Sequence, residues 1–228
     1  MSLLVPKVTN RAVSWWSVRH NQVVTSEWLT RALEESRARG FLGPGGIAPH
    51  IVHAHGFVET WRRHSPVSPS AFLDLGSGGG LPGLVLLEEF SCRGVLLDSM
   101  AKRVAFLREV LTWTGAPSGG EVVEGRAEDL ARSSVLEESM DLVTARSFGP
   151  PAATAECAAR FLAVGGILIV SEPPDAPPRW DKEGLMLLGL QRSETVRAGA
   201  TFQIIEKVET TPALYPRRSG IPTKRPLF

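Results

Sequence analysis

The stretch DLGSGGGLPG runs from Asp74 to Gly83 and joins a short apolar segment to a segment with helical spacing. Glycine residues permit a tight turn and let a ligand lie directly against the backbone, where a Cβ atom would block it. An apolar strand, a glycine-rich loop and a helix in this order are typical of a nucleotide-type site. We predict the strand at Ala71 to Leu75 and the start of the helix at Pro82, since proline suits the first helical position.

Strand-like and helix-like segments alternate after this loop. Apolar runs predict further strands at 94–98, 121–124, 141–145, 166–170, 194–197 and 202–208. Helical spacing predicts a helix from the N-cap Ser99 to near Gly115, and further helices at 151–163 and 182–190. This alternation implies right-handed crossovers, so we predict a doubly wound α/β fold with a mostly parallel, seven-stranded sheet.

The 228 residues are enough for one α/β domain with an appendage. Before residue 66 the apolar spacing is helical and is broken between Gly40 and Pro49, which predicts a small N-terminal helical appendage at 1–65. The α/β domain is predicted at 66–211, and a basic tail that packs on it or extends from it at 212–228. Four tryptophans of the first part can stack bases, but we expect them to anchor the core of the appendage: Trp15, Trp16, Trp28 and Trp61.

Composition excludes several classes of protein. With 43% hydrophobic and 21% charged residues, the chain has the composition of a packed globular protein. Its apolar runs are shorter than the ~20 residues of a membrane span and its start lacks the pattern of a signal peptide, so we expect a cytoplasmic protein that contacts no membrane. Two cysteines, Cys92 and Cys157, are expected as free thiols. The histidines at 50, 53 and 55 lack Cys or carboxylate at ligand spacing, so no metal is expected. We also expect the protein to be a monomer.

Charge is distributed unevenly along the chain. Residues 1–70 hold 8 basic and 4 acidic residues and residues 212–228 hold 4 basic and no acidic ones, so the two ends carry +8 within a net charge of +1. The four cations of the tail, Arg217, Arg218, Lys224 and Arg225, lie among prolines that restrict the backbone, and can present a rigid basic strip to RNA. The alternatives are solvated surface charges and a disordered tail.

Two carboxylates bear on which ligand the glycine loop binds. Gly78, Gly80 and Gly83 satisfy G-x-G-x-x-G, so an NAD-type dinucleotide site and a dehydrogenase are one hypothesis. Asp74 would add unfavourable negative charge beside a pyrophosphate, whereas S-adenosylmethionine (AdoMet) presents an ammonium and a sulfonium group that a carboxylate stabilises. Asp98 ends the second strand, where it can accept both ribose hydroxyls of either cofactor. Each carboxylate can alternatively be a helix or turn cap.

Five blocks of the sequence together resemble the bacterial 16S rRNA (guanine-N7)-methyltransferases, the RsmG or GidB family. They are the glycine loop, LLDSMAKRVAFLREV (96–110), GRAED (125–129), DLVTARSF (141–148) and YPRRSGIPTKRPL (215–227). The resemblance implies a class I AdoMet-dependent methyltransferase with a Rossmann-like sheet, acting on 16S ribosomal RNA or the small ribosomal subunit. It further implies methyl transfer to guanine N7, which carries a lone pair and needs no general base.

The resemblance also implies AdoMet contacts at Gly76, Leu81, Ala127, Glu128 and Arg146. Ala127 and Glu128 are expected beside the adenine. The guanidinium of Arg146 would repel a sulfonium, so its expected partner is the methionine carboxylate or an RNA phosphate, and it is the one candidate for a positioning role in catalysis. The alternative for Arg146 is a buried ion pair with an aspartate, either the acid at 141 or that at 74.

Three segments depart from the family pattern. WNxxxNLT has no clear equivalent at 15–25, HxxDS is replaced by His53 to Phe57, and the lysine after the fifth strand is replaced by Glu172, which would repel RNA phosphate. These departures keep open a diverged member with another RNA or small-molecule acceptor, and a non-catalytic protein that binds AdoMet and RNA.

Overall fold

The computed structural model of the chain describes residues 25–132, 135–175 and 177–228. The helical spacing predicted before residue 25, with Trp15 and Trp16, lies outside these residues. The helices are α1 (Glu27–Ala38), α2 (Ile47–His64), α3 (Gly83–Phe90), α4 (Ala101–Val110), α5 (Ala127–Leu130), α6 (Pro151–Ala159), α7 (Lys182–Met186) and α8 (Ile221–Lys224). The strands are β1 (Ala71–Leu75), β2 (Arg93–Asp98), β3 (Gly120–Glu124), β4 (Met140–Ala145), β5 (Leu162–Glu172), β6 (Leu190–Arg197) and β7 (Thr201–Lys207).

Within the described ranges the strands form one seven-stranded sheet in the order β3-β2-β1-β4-β5-β7-β6. All neighbouring pairs from β3 to β5 are parallel, and β7 runs antiparallel to both β5 and β6. The predicted doubly wound, mostly parallel sheet is therefore confirmed. The strand order reverses between β1 and β4, and in such sheets a ligand crevice opens at the carboxyl ends of the strands beside this reversal.

Alternate residues of β1 supply the two faces of the sheet. Phe72 belongs to a core that also contains side chains of α1 to α4, while Leu73 and Leu75 belong to a second core that contains side chains of α6. Successive side chains of a strand point to opposite faces, so a strand covered by helices on both sides has to be apolar throughout. This explains why β1 is a continuous apolar run interrupted only by Asp74.

The N-terminal helices share a core with the sheet. Leu29, Leu33 and Phe57 are buried in the same cluster as Phe72. Two of the tryptophans are buried in this region as predicted: Trp28 donates its indole N–H to the carbonyl of Val110, and Trp61 donates to that of Val67. The described part of the predicted appendage, residues 25–65, therefore forms a helical layer of the fold.

Several predicted boundaries were wrong. The helix after the glycine loop begins at Gly83, with Pro82 at its N-cap, and α4 has Met100 rather than Ser99 at its N-cap and ends at Val110, well before Gly115. α2 begins at Ile47 and contains Pro49 in its first turn, where proline is tolerated. Helices α6 and α7 are shorter than predicted, and β5 is longer.

The C-terminal segment, which we define as residues 212–228, packs on the α/β domain. The guanidinium of Arg132 donates to the carbonyls of Ala213, Leu214 and Pro216, and Arg160 donates to that of Tyr215. The side chain of Tyr215 is itself buried in the second core. Hydrogen bonds from two arginines thus fix the backbone at the start of this segment.

Both cysteines are free thiols, and burial raises the pKa of each, that of Cys92 to about 11. Among the described residues, none of the helices combines the length and apolar character needed to cross a bilayer. The same residues contain no group of three or more His, Cys, Asp or Glu arranged to hold a metal ion.

Gly56 tests the docking of α2 on the sheet. A Cβ atom at this position would lie 2.5 Å from the carbonyl oxygen of Ala198 and 2.5 Å from the ring of Phe202. We expect Gly56→Ala to lower the free energy of unfolding by roughly 1–3 kcal/mol through overpacking, even though alanine is the better helix former. Gly43→Ala, where the nearest atom would be 3.6 Å away, should change stability by less than about 0.5 kcal/mol. Urea denaturation measures both, and equal effects would contradict close packing at Gly56.

Candidate cofactor-binding site

The glycine-rich loop after β1 is tied to the end of the neighbouring strand β2. The N–H groups of Gly76 and Ser77 both donate to the carbonyl of Leu97, each at 2.9 Å. Gly76, Gly78 and Gly80 have φ angles of +75°, +56° and +98°, a region that strongly favours glycine. The loop therefore follows one defined path across the carboxyl end of the sheet, with its backbone close to any ligand there.

The carboxylate of Asp98 joins the loop to the start of α4. Its Oδ2 accepts the N–H of Gly78 and its Oδ1 accepts the N–H of Met100, each at 2.8 Å. The Nη1 atom of Arg103 lies 3.7 Å from Oδ2. An ionised carboxylate has about four acceptor positions, so about two remain for donors from a ligand.

The carboxylate of Asp74 lies behind the loop and is almost completely buried, with 1% of the residue exposed. Its Oδ2 accepts the N–H of Gly83 and its Oδ1 accepts the hydroxyl of Thr144, each at 2.9 Å. Burial raises the pKa of Asp74 to about 6, although both hydrogen bonds favour the ionised form. These are the contacts of the cap that sequence analysis left open as the alternative for Asp74, and they hold the start of α3 against β4.

Two adjoining cavities lie at the carboxyl ends of the strands, with volumes of about 270 and 240 Å³. Both are lined by Gly76, Arg103 and Ser147, so they meet at the loop. The first is also lined by Asp98, Arg126, Ala127, Glu128, Cys157 and Thr223, and the second by Leu42, His50, Gly78, Leu81 and Arg146. The carboxylates of Asp98 and Glu128 thus line the first cavity, and the guanidinium of Arg146 lines the second.

The guanidinium of Arg146 is held by a histidine of α2. Its Nη2 lies 2.9 Å from Nδ1 of His50, while its Nη1 is buried and has no hydrogen-bond partner among the residues that the structure describes. Within the part of the chain that the structure describes, neither Asp141 nor Asp74 forms an ion pair with it; Asp141 instead accepts from Ser70. Burial lowers the pKa of Arg146, although the charge of Asp74 opposes this shift. A buried donor without a partner is costly, so the geometry is suited to an anionic group of a ligand.

Comparison with known proteins identifies the family. A model of the GidB family, described as rRNA small subunit methyltransferase G, matches residues 48–172. The ribosomal RNA small subunit methyltransferase G of Dehalococcoides mccartyi (strain CBDB1) is 36% identical, covering 68% of this chain and 70% of that protein. The protein of the same name from Moorella thermoacetica is 33% identical, covering 74% and 79%. This chain belongs to the GidB family. It is an AdoMet-dependent methyltransferase.

Solved structures share the fold of this GidB family member. A putative O-methyltransferase from Klebsiella pneumoniae superposes with a TM-score of 0.57 at 16% identity, over 82% of this chain and 92% of that chain. An S-adenosylhomocysteine-bound methyltransferase from Podospora anserina superposes with a TM-score of 0.56 at 16% identity, over 81% and 89%. At these identities the likeness concerns the fold, and it confirms the Rossmann-like class I methyltransferase architecture.

The two cavities of the GidB site bring together most of the predicted cofactor residues. Gly76 lies between them, Asp98, Ala127 and Glu128 line the first, and Gly78, Leu81 and Arg146 line the second. Neither lining includes Asp74 or Gly80. A Cβ atom on Gly80 would lie 2.5 Å from Leu84, so glycine is needed there for packing against α3.

Sequence reasoning missed several residues of the site. Arg103 lines both cavities from the first turn of α4, and its position five residues after Asp98 was a usable signal. Ser147 also lines both, with a left-handed φ of +55° that a serine rarely adopts and that the sequence does not indicate. The helical layer contributes as well, because His50 lines the second cavity and Ser36 donates to the carbonyl of Gly79 at 2.8 Å.

The four cations predicted to bind RNA have two different environments. Arg217 donates its Nε and Nη2 to the fully buried carboxylate of Glu156, which also accepts its backbone N–H. Arg218, Lys224 and Arg225 are exposed. Arg217 is therefore a structural residue in this fold, whereas the other three face solvent.

Glu172, which departs from the family pattern, is also paired. Its Oε2 accepts from Arg179 at 2.7 Å and its Oε1 accepts the indole N–H of Trp180 at 2.9 Å. Both oxygens are thus occupied by protein donors, and the charge is balanced locally. The repulsion of phosphate expected from the sequence is reduced by this pairing.

We expect the stability difference between Asp74→Asn and the wild type to change with pH. The folded-state pKa of Asp74 is about 6, above the ordinary 3.8, so the folded protein keeps a proton that the unfolded chain releases. The stabilisation from this proton is complete below pH 3.8 and is lost as the pH rises through 6. The asparagine variant lacks this loss. As the pH rises through this window, the free energy of unfolding of the variant, relative to that of the wild type, should therefore increase by up to about 3 kcal/mol.

Urea denaturation of both proteins without AdoMet, at several pH values between about 4 and 7, measures this difference. Burial lowers the folded-state pKa of His53 to about 4, which produces the opposite pH dependence. That contribution is common to both proteins and cancels in the difference. A difference that is constant with pH would contradict the raised pKa of Asp74.

Arg217 and its neighbour Arg218 provide a matched pair for the structural ion pair. Arg217→Ala leaves the carboxylate of Glu156 buried without its cation, so we expect a loss of about 2–4 kcal/mol in the free energy of unfolding. Arg218→Ala removes the same charge from an exposed position and should change stability by less than about 0.5 kcal/mol. Thermal or urea unfolding of the two variants measures these losses. Similar small losses of stability in both would mean that the ion pair between Arg217 and Glu156 contributes little to the free energy of unfolding.

Proposed function

We propose that this chain transfers a methyl group from AdoMet to N7 of a guanine in 16S ribosomal RNA. The observation that carries the proposal is the pair of adjoining cavities, of which the first is lined by the carboxylate of Asp98 and the second by Arg146, whose Nη1 has no hydrogen-bond partner among the described residues. The names of the relatives from Dehalococcoides and Moorella supply the substrate class. The family resemblance of the sequence supplies the acceptor atom.

The residues present fit AdoMet along its whole length. We assign the adenosine part to the first cavity, where the remaining acceptor positions of Asp98 suit the two ribose hydroxyls and Ala127 and Glu128 lie at the adenine end. We assign the methionine part to the second cavity, where the free Nη1 of Arg146 suits the carboxylate. Gly76 lies where the two parts meet, and the absence of a side chain there permits close approach.

When bound, AdoMet supplies an activated methyl group on a positively charged sulfur. The residues of the chain then have to hold the acceptor in line with this group, an orientation effect that can account for a large part of the rate. Asp74 contributes by fixing the loop and α3 from behind. Guanine N7 has a lone pair and no proton, so the reaction requires no side chain to act as a base.

The RNA is assigned to the basic surface beside the site. Arg218, Lys224 and Arg225 are exposed cations of the C-terminal segment, which passes the first cavity at Thr223. Cations so placed attract phosphates without reading sequence. A ribosomal substrate also agrees with the cytoplasmic location expected from the sequence.

Arg146 and Asp98 test the assignment of AdoMet. We expect Arg146→Ala and Asp98→Ala each to weaken AdoMet binding by about 1–3 kcal/mol, since each removes a charge-assisted hydrogen bond. Arg108→Ala, which removes an exposed arginine of α4, is the matched control and should bind AdoMet as the wild type does. Isothermal calorimetry measures the affinities. Unchanged affinity in both site variants, with the fold intact by circular dichroism, would exclude the site assigned here.

The acceptor is tested by the product and by the pH profile. Incubation of unmodified 16S ribosomal RNA or small subunits with the enzyme and labelled AdoMet should give 7-methylguanosine on nucleoside mass spectrometry. The rate at saturating substrates should vary little between about pH 6.5 and 9, because no base has to lose a proton. A steep rise with a single pKa near neutrality would indicate an acceptor that loses a proton, and AdoMet binding without any transfer would indicate a non-catalytic protein.

A further inference from the structure

The C-terminal segment reaches the first cavity through residues 219–223. The Nε atom of Arg126 lies 3.1 Å from the hydroxyl of Ser219, and the N–H of Gly220 donates to Oε1 of Glu128 at 2.9 Å. Thr223 lines the cavity together with Arg126 and Glu128. One wall of the cavity is therefore contributed by the end of the chain, about ninety residues away from the helix that it meets.

The approach of this segment is defined before it reaches the cavity. The guanidinium of Arg217 is bound to Glu156 on α6, and Arg132 holds the carbonyls of Ala213, Leu214 and Pro216. Between these anchors and the end of the chain, the connection to the cavity lining consists of two contacts: Gly220 donates to Glu128, and Arg126 donates to the hydroxyl of Ser219. Glu128 has only 8% of its surface exposed, so its carboxylate faces protein and cavity rather than solvent.

The exposed cations lie on both sides of this connection. Arg218 directly precedes Ser219, and Lys224 and Arg225 directly follow Thr223. Glu128 therefore holds the backbone at Gly220, between Arg218 and Lys224.

We propose that Glu128 is a positioning residue that couples the binding of AdoMet to the binding of RNA. One carboxylate oxygen holds Gly220 of the C-terminal segment, and the side chain faces the adenine end of the cavity. Cofactor binding then pre-orders the cations, and RNA binding stabilises the wall that the cofactor contacts. By linkage the two ligands change each other's affinity by the same factor. This inference rests on the proposed function.

The experiment measures the affinity of 16S ribosomal RNA, transcribed in vitro, with and without saturating S-adenosylhomocysteine. This product lacks the sulfonium, so a gain in RNA affinity cannot come from an added positive charge, and no turnover occurs. We expect the wild-type dissociation constant for RNA to fall by roughly 5-fold or more when the product is bound. The dissociation constant for S-adenosylhomocysteine should fall by the same factor in saturating RNA.

Three substitutions locate the coupling. Glu128→Ala removes the acceptor for Gly220, so the ratio of RNA dissociation constants should approach one. Glu128→Gln keeps an oxygen that can accept from Gly220 and should retain most of the ratio. Asp129→Ala removes an equal charge from the neighbouring exposed residue of α5 and should keep the wild-type ratio. Should Glu128→Ala fail to fold, Glu128→Asp, whose shorter side chain draws the carboxylate away from Gly220, tests the same contact and should lower the ratio.

Two results would overturn the proposal: a wild-type ratio near one, or the full ratio in a folded Glu128→Ala protein saturated with S-adenosylhomocysteine. The proposed function fails separately. If the wild type forms 7-methylguanosine in 16S RNA while its ratio is one, only the coupling is wrong. If the wild type binds no 16S RNA with or without S-adenosylhomocysteine, the proposed substrate is contradicted, and the proposed coupling is contradicted as well.

Discussion

The buried carboxylate of Asp74 holds together the elements from which the cofactor site is made. It accepts the N–H of Gly83 at the start of α3 and the hydroxyl of Thr144 on β4, while its own backbone belongs to β1. The strand order reverses between β1 and β4, and Asp74 bridges this point. Without this acceptor, a buried N–H at the start of a helix and a buried hydroxyl would both lose their partner, which costs about 1–3 kcal/mol for each group. The path of the glycine loop between these elements depends on the same contact.

Asp74 and Asp98 lie near the carboxyl ends of the neighbouring parallel strands β1 and β2, Asp74 one residue before the end and Asp98 at the end, but their environments differ. Asp74 is enclosed, and burial raises its pKa to about 6. Asp98 lines the first cavity and is close to Arg103, with acceptor positions left for a ligand. The acid closer to the loop is thus a support, and the acid one strand away is the one that faces the cavity. Both carboxylates hold the glycine loop in place, because Asp98 accepts the N–H of Gly78 within the loop and Asp74 accepts the N–H of Gly83 at its end.

Much of the fold and part of the site could be predicted from the sequence, and the limits have physical causes. The sheet follows from the period of apolar residues, and the glycine loop follows from backbone positions that only glycine adopts readily. The environment of a carboxylate depends on side chains far away in sequence, so neither the enclosure of Asp74 nor the pair of Arg217 with Glu156, 61 residues apart, has a local signal. The N-cap of α4 is Met100 rather than Ser99, and the N–H of Met100 is accepted by Asp98, a side chain outside the helix.

The cations of the C-terminal segment do not all contribute to the positive surface of the protein. Counting charges treats the four cations of the C-terminal segment as equal, but Arg217 neutralises a carboxylate that is completely buried on α6. Its charge is therefore balanced inside the fold and adds little to the field that an approaching polyanion meets. This internal pair, together with the contacts of Ser219 and Gly220, anchors the backbone from which the three remaining cations project. The ion pair between Glu156 of the domain and Arg217 of the segment thus has a structural role. It helps to hold the segment where its exposed cations lie beside the first cavity.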